Sequence, residues 1–153
     1  MPLHVIRRSS ASSRYDAIGV VLKSIALAYS NRLEDAERYL RQAADRSRAI
    51  GYKVGLARAL LHQVTEVLIV RGQFHLALTL AEEAGILREE ATGKHLHEAF
   101  WRGFIYQEVG DRRHCREVLD ELVGGIEPGT RDAAGYYLLW ARLALDEDEP
   151  ERA

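Results

Sequence analysis

The chain of 153 residues has one cysteine, three prolines and only three lysines among its 21 basic residues. A single cysteine excludes an internal disulfide, so a reducing compartment is the default expectation. No apolar run approaches the roughly 18–20 residues that a bilayer span needs. The first residues also lack the long apolar segment of a secretory signal. We therefore expect a cytoplasmic protein that does not enter a membrane.

An excess of charge of one sign is also lacking. The 21 basic residues are balanced by 23 acidic ones, and the net charge is −2. Nucleic-acid-binding domains usually carry a basic surface and a high pI, so direct binding of nucleic acid by this domain is not expected. The prolines are at positions 2, 128 and 150, so no proline interrupts a helix between residues 3 and 127.

Helical periodicity is the main feature that is present. Apolar residues recur at spacings of three and four in seven segments, which predicts seven helices. Asn31, with Glu34 three residues later, resembles a capping box for the second helix. Asp111 and Thr130 are predicted N-caps of the sixth and seventh helices. No segment alternates with the period of a strand. Glycines are predicted to end helices at Gly51, Gly72, Gly93, Gly110 and Gly124–Gly125.

The segments around three of these turns repeat one another. They align as Asn31–Ala36, Gly72–Ala77 and Gly110–Cys115. The alignment places a small residue at equivalent positions that are 41 and 38 residues apart, namely Ala36, Ala77 and Cys115. Small side chains at such sites let two helices approach to about 8–10 Å. The sequence therefore predicts tandem helical hairpins, each covering the apolar face of its neighbour.

This frame resembles the tetratricopeptide repeat over residues 15–153. The third unit matches the family pattern best, at Gly103, Tyr106, Gly110, Asp111 and Cys115. The second unit has Thr65, Leu68, Gly72, Ala77 and Ala84 at the same places. The first unit has Ser24, Leu27, Ala36 and Ala43. The period is about 40 residues instead of 34, which resembles the variant in large bacterial transcriptional regulators of the MalT-like kind.

The resemblance implies an all-α, right-handed superhelix of about three and a half antiparallel hairpins. Their expected bounds are 15–51, 53–93, 95–125 and a partial hairpin at 130–153, after a flexible leader at 1–14. It also implies a cytoplasmic protein–protein interaction module of a bacterial regulator, which binds a peptide or helix in a concave groove. The groove positions carried over from the family are Val21, Ile25, Tyr29, His62, Glu66, Ile69, Val70, Phe100, Phe104, Gln107, Glu108, Leu138 and Arg142.

Two other functions stay open. One is a small-ligand sensor of a transcriptional regulator, because Glu66, Gln107, Glu108 and Arg142 are polar groups that could converge on a ligand. The other is a domain that forms a homodimer through an open apolar end. Binding of a chaperone's C-terminal carboxylate is disfavoured, because His62, Glu66 and Phe104 stand where related domains use a Lys/Asn clamp.

An enzyme is not expected, and neither is a cofactor. His62 and Glu66 share a helix face, but no zinc-binding motif accompanies them, so no metal site is predicted. Cys115 occupies a small packing site and is expected to be a buried, inert thiol. No phosphate-binding glycine loop is present. Most of the aromatic cluster is expected to fill the core, although its members could stack on a ligand: Phe100, Trp101, Tyr137 and Trp140.

Overall fold

A computed structural model describes Arg14 and residues 18–148. The predicted leader apart from Arg14, the predicted start of the first helix at Tyr15 and the last residues of the predicted partial hairpin, 149–153, lie outside these residues. The described helices are α1 (residues 18–29), α2 (Leu33–Ala49), α3 (Lys53–Gln63), α4 (Phe74–Thr92), α5 (Leu96–Glu108), α6 (Arg112–Val123) and α7 (Arg131–Asp148).

The described part of the chain contains no strand, which confirms the all-α prediction. It divides into two compact units, the first ending at Gly93 and the second beginning at Lys94. In the first unit, α3 packs against both α2 and α4, and in the second unit α5, α6 and α7 contact one another. None of the helices within residues 18–148 has the length and apolarity that crossing a membrane requires.

Four helix ends share one backbone arrangement. A residue with positive φ follows the helix at Asn31 (58°), Gly51 (65°), Gly72 (68°) and Gly110 (78°). At Gly110, the backbone N–H donates to the Gln107 carbonyl (3.0 Å) and the next N–H donates to the Tyr106 carbonyl (2.8 Å). The same pair of bonds recurs at the other three positions, so each helix ends in a Schellman motif. The predicted ends at Gly51, Gly72 and Gly110 are therefore confirmed.

The predicted capping role of Asn31 is wrong, because Asn31 ends α1 instead of starting α2. Arg32 is the N-cap of α2 and makes no side-chain capping bond. Asparagine tolerates the left-handed conformation better than other residues that have a side chain, which suits it to the position that glycine holds elsewhere. The other two predicted caps are confirmed. Asp111 accepts a bond from the His114 N–H (3.1 Å), and Thr130 accepts one from the Ala133 N–H (3.2 Å).

The small residues of the repeat lie at the helix contacts. Ala36, Ala77 and Cys115 each stand four residues after an N-cap and are 0% exposed. The sites seven residues further along are also buried, at Ala43, Ala84 and Leu122. The alanines and Cys115 are small enough for the helices that carry them to lie close to their neighbours. The packing role predicted from the repeat is confirmed in both units.

Helix α3 differs from the regular helix predicted for this segment. Val64–Leu68 forms a π-helical turn, in which the Ile69 N–H donates to the Val64 carbonyl (3.0 Å). Val64 and Val67 stay fully buried across this turn. The extra residue in the turn rotates the side chains that follow, and periodicity alone does not reveal such an insertion.

In the second unit, two glycines allow α5 to approach α6 and α7 closely. A Cβ atom at Gly103 would lie 2.5 Å from Leu139 Cδ2 and 3.1 Å from Val118 Cγ1. A Cβ atom at Gly135 would lie 3.1 Å from the ring of Phe100. These helices surround the buried residues Cys115, Leu119, Leu139 and Leu143.

The turn geometry predicts opposite effects for two glycine substitutions. Gly110→Ala should lower the free energy of unfolding by about 1–2 kcal/mol, because alanine is strained at positive φ. Gly124→Ala is the matched control, since Gly124 has φ −72° and a Cβ meets no atom within 4 Å at either position. It should be neutral or stabilise by up to about 1 kcal/mol. Urea denaturation measures both, and equal effects would contradict the role of the left-handed turn.

Candidate functional site: an aromatic groove between α5 and α7

Three of the predicted groove residues lie on α3 and its π-helical turn, in the first unit. His62 Nδ1 lies 3.7 Å from Glu66 Oε1, and the Thr65 hydroxyl donates to the same oxygen (3.3 Å). The Nδ1 atom of His62 is buried and has no hydrogen-bond partner. Ile69 follows the π-helical turn and is half-buried. The structure therefore brings His62 and Glu66 together, as their spacing predicts.

Four other predicted residues meet where α5 contacts α7 in the second unit. The Arg142 guanidinium lies 5.5 Å from the centre of the Phe104 ring and 2.7 Å from Glu108 Oε1. Gln107 is buried, and its amide donates to Asp146 Oδ2 (3.4 Å). Glu108 and Arg142 thus neutralise each other over an aromatic ring. The side chain of Gln107 is held within the helix contact.

An open groove runs beside this contact and has a volume of about 270 Å³. Its α5 wall consists of His97, Phe100 and Trp101. Its α7 wall consists of Arg131, Asp132, Ala134, Gly135 and Leu138. We call these eight residues the aromatic groove. Leu138 is 58% exposed, so the groove presents an apolar side chain to solvent as well as ring edges.

The rings of α5 support one another in edge-to-face contacts. Ring centres are 5.3 Å apart for Phe100 and Trp101 and 5.5 Å apart for Trp101 and Phe104. His97 meets Trp101 at 6.4 Å with its ring nearly perpendicular. Such contacts hold aromatic side chains in defined positions. The groove wall is therefore preorganised by neighbouring turns of one helix.

The sequence analysis identified Phe100 as a groove residue but not Arg131 or Gly135. An isolated glycine inside a predicted helix signals a close approach, and Gly135 meets that description. His97 was not singled out in the sequence. Its spacing of four from Trp101 would have placed both side chains on one face. Arg131 gave no comparable signal, because it reaches the groove only through the packing of α7 on α5.

The expectation that most of the aromatic cluster fills the core holds for Phe100 and is wrong for two other members. Phe100 packs against both buried clusters of the second unit. Tyr137 and Trp140 are 59% and 56% exposed. Both rings therefore leave more than half of their surface in solvent, although Trp140 also lines a cleft between α6 and α7.

The structure also places Cys115 and the side chains that could bind a metal ion. Cys115 is 0% exposed, and burial raises the pKa of its thiol to about 11, with the negative charge of Asp146 adding to the effect. Cys115 is therefore a packing residue, as predicted. Among residues 14 and 18–148, no three His, Cys, Asp or Glu side chains cluster closely enough to hold a metal ion.

No protein-family model, curated protein or solved structure matches the chain. The aromatic groove and the two sets of predicted residues are therefore the observations from which a function is argued.

The buried thiol generates a pH prediction. The ordinary pKa of 9.0 is raised to about 11 in the folded chain. The folded chain therefore favours the protonated thiol. The contribution of Cys115 to the free energy of unfolding is fully present below pH 9 and falls as the pH rises toward 11. The difference in unfolding free energy between the wild type and Cys115→Ala should shrink over that interval.

Native Cys115 should also react with iodoacetamide far more slowly than the denatured chain. Equal rates would show that the thiol is accessible.

Proposed function

We propose that this protein is a non-catalytic helical-repeat module of the tetratricopeptide kind, which binds a peptide or helix of another protein. The aromatic groove would hold an apolar anchor side chain of that partner. The observation that carries the proposal is the open wall of rings on α5 facing Leu138 on α7. The superhelical arrangement and the setting in a bacterial regulator are implied by the resemblance and form part of the same proposal.

The size of the groove supports a side chain as its occupant. Pockets for small molecules commonly measure about 300–1,000 Å³, whereas this groove measures about 270 Å³ and is open. Peptides and amphipathic helices bind mainly through a few large apolar residues inserted into such sites. Arg131 and Asp132 stand at the end of the groove, where they could pair with polar groups that flank the anchor.

The small-ligand alternative has less support from the same region. A sensor pocket needs polar groups that converge on empty space. Glu108 is bonded to Arg142 and the Gln107 amide nitrogen donates to Asp146, whereas the buried Gln107 Oε1 has no hydrogen-bond partner. Glu66, the fourth polar residue of that hypothesis, lies in the first unit. We therefore favour a protein segment over a metabolite.

Panning a displayed library of random peptides against the full chain tests the proposal. Trp140→Phe serves as the background, because Trp101 is then the only tryptophan and reports directly on the groove. We expect enriched peptides to share an aromatic or branched apolar residue and to shift the Trp101 emission. Leu138→Glu should weaken them at least about tenfold, the loss expected when a charge faces a buried apolar anchor.

Ile86→Glu is the matched control, since Ile86 is 59% exposed on α4 and stands outside the groove. It should leave peptide affinity unchanged. Circular dichroism should show equal helicity for both variants. The proposal is wrong if no peptide is enriched, or if enriched peptides bind the wild type and Leu138→Glu equally.

A further inference from the structure

The Glu66 carboxylate is partly buried and has no basic partner. Its side chain is 20% exposed, and His62 Nδ1 lies 3.7 Å from Oε1, which is too long for a hydrogen bond. Among Arg14 and residues 18–148, no lysine or arginine nitrogen lies within 4 Å of this carboxylate. The one hydrogen bond that it accepts there comes from the neighbouring Thr65 hydroxyl (3.3 Å). The carboxylate therefore lacks the opposite charge that a partly buried position calls for.

Other carboxylates of similar exposure have an arginine beside them. Glu37 is 21% exposed and lies 2.6 Å from the Arg71 guanidinium. Glu108 is 31% exposed and lies 2.7 Å from the Arg142 guanidinium. Taking a carboxylate out of water costs free energy unless an opposite charge compensates for the loss. Glu66 departs from this pattern, which indicates that its opposite charge comes from outside the described residues.

The π-helical turn sets the position of Glu66. Val64 and Val67 are fully buried and Leu68 is nearly so, which anchors the turn in the core of the first unit. Thr65 and Glu66, between the two valines, remain partly exposed. A single π-helical turn within a helix is rare and frequently lies at a functional site. The turn is therefore an observation, independent of the charge, that singles out the same position.

The surface after the turn suits the stem of an arginine side chain. Val70 follows Glu66 by four residues, about one helical turn, and is 63% exposed. An arginine side chain packs its aliphatic stem on apolar surface while its charged end stays free to meet a carboxylate. Arg71, the next basic residue along the chain, does not fill this role, because its guanidinium is bound to Glu37 on α2.

We propose that Glu66, with His62 and Val70 beside it, is a binding site for an arginine side chain of a partner protein. Glu66 Oε2, which accepts no hydrogen bond from the described residues, accepts an N–H of the incoming guanidinium. Guanidinium is more weakly hydrated than ammonium and presents its N–H groups in a planar fork, so it suits a partly buried carboxylate better than lysine does.

The site belongs to the first unit and does not include any residue of the aromatic groove. The inference shares with the proposed function only the premise of a protein partner. It adds the chemistry of a second contact, which the two units can be tested for separately.

NMR titration of the full chain with N-acetyl-arginine amide tests the site. N-acetyl-citrulline amide is the matched neutral probe, because its side chain has nearly the same shape without the charge. The arginine probe should shift the signals of Glu66 and His62 in a saturable way, and the citrulline probe should bind at least about tenfold more weakly. Both titrations use the same ionic strength, since salt screens the attraction of charges.

Two substitutions of the same kind separate the site from a general effect of charge. Glu66→Gln should weaken binding of the arginine probe about tenfold, because a charge-assisted hydrogen bond becomes a neutral one. Glu82→Gln is the matched control, since Glu82 is exposed on α4 in the same unit. It removes the same charge and should leave the affinity unchanged.

Thermal unfolding distinguishes a binding role from a structural one. Glu66→Gln should keep or raise the midpoint of unfolding, because it removes a partly buried carboxylate that has no basic partner. Glu37→Gln should lower the midpoint by about 2–4 °C, because it takes the charged partner from Arg71. Glu66 supports the fold instead of a ligand if both substitutions lower the midpoint equally.

A tripeptide tests whether the occupant is part of a protein. In acetyl-Leu-Arg-Leu amide, the arginine stands in a backbone with apolar neighbours that can contact Val70. This probe should bind at least about threefold more tightly than N-acetyl-arginine amide, because part of a leucine side chain is buried. Val70→Ser should remove the gain. A tripeptide that binds no more tightly than the single amino acid indicates a site for a free cation, which contradicts the inference.

Three further results would overturn it. Equal binding of the arginine and citrulline probes excludes recognition of charge. Equal affinity of the wild type and Glu66→Gln places the binding on another surface. Binding that appears only after Arg7→Gln and Arg8→Gln identifies the chain's own first residues as the occupant. The aromatic groove is tested by the Leu138→Glu variant, so either proposal can fail while the other stands.

Discussion

The close approach of helices at a small side chain is the constraint on which the rest of the structure depends. At three positions the chain ends a helix with a left-handed residue, uses one residue as the N-cap, and buries a small side chain four residues later. The buried residues are Ala36, Ala77 and Cys115, all 0% exposed. The Schellman bonds set the direction of the turn, and the small residue sets the distance between the helices. A larger side chain at these sites would separate the helices and open the core.

The same constraint accounts for the aromatic groove. Gly103 and Gly135 allow α5 to contact both α6 and α7, and Phe100 lies directly against Gly135. Because this face of α5 is packed against α6 and α7, Trp101 and His97 lie at the edge of the helix contact. There they form one wall of the aromatic groove. The pairing of Arg142 with Glu108 over Phe104 closes the contact further along the helices. The aromatic groove and the buried core of the second unit therefore both result from the packing of α5 against α6 and α7.

The outward side of α7 presents the opposite situation. Leu139 and Leu143 bury one side of this helix, yet Tyr137 and Trp140 leave most of their surface in solvent. A helix with apolar residues around most of its circumference is usually covered on more than one side. The two sides of α7 therefore differ in how much of their apolar surface is covered.

Much of the fold could be predicted from the sequence, because its signals are local. Positive φ at Gly51, Gly72 and Gly110 follows from the absence of a side chain, and the caps at Asp111 and Thr130 follow from short polar side chains. Asn31 was misassigned because asparagine is suited both to an N-cap and to the left-handed conformation. Only the bonds on either side of it decide between the two. The π-helical turn at Val64–Leu68 also leaves no distinct pattern in the sequence.

The candidate site was predicted only in part. The spacing of His62 and Glu66 places them on one face of α3, and the structure brings them to 3.7 Å. Arg131 and Gly135 reach the groove only because α7 packs on α5, and local sequence does not encode that contact.

The sequence by itself determined the helix ends at Gly51, Gly72 and Gly110, the caps at Asp111 and Thr130, and the small residues that recur at the helix crossings. Those features depend on backbone bonds and side-chain volume within a few residues of one another. Only the tertiary structure decided which apolar residues are covered and which remain exposed. Phe100 and Trp140 have the same apolar character in the sequence, but Phe100 packs against the buried clusters of the second unit and Trp140 leaves more than half of its surface in solvent. Burial is a property of the neighbours that a helix meets, and those neighbours are set by packing between distant segments of the chain.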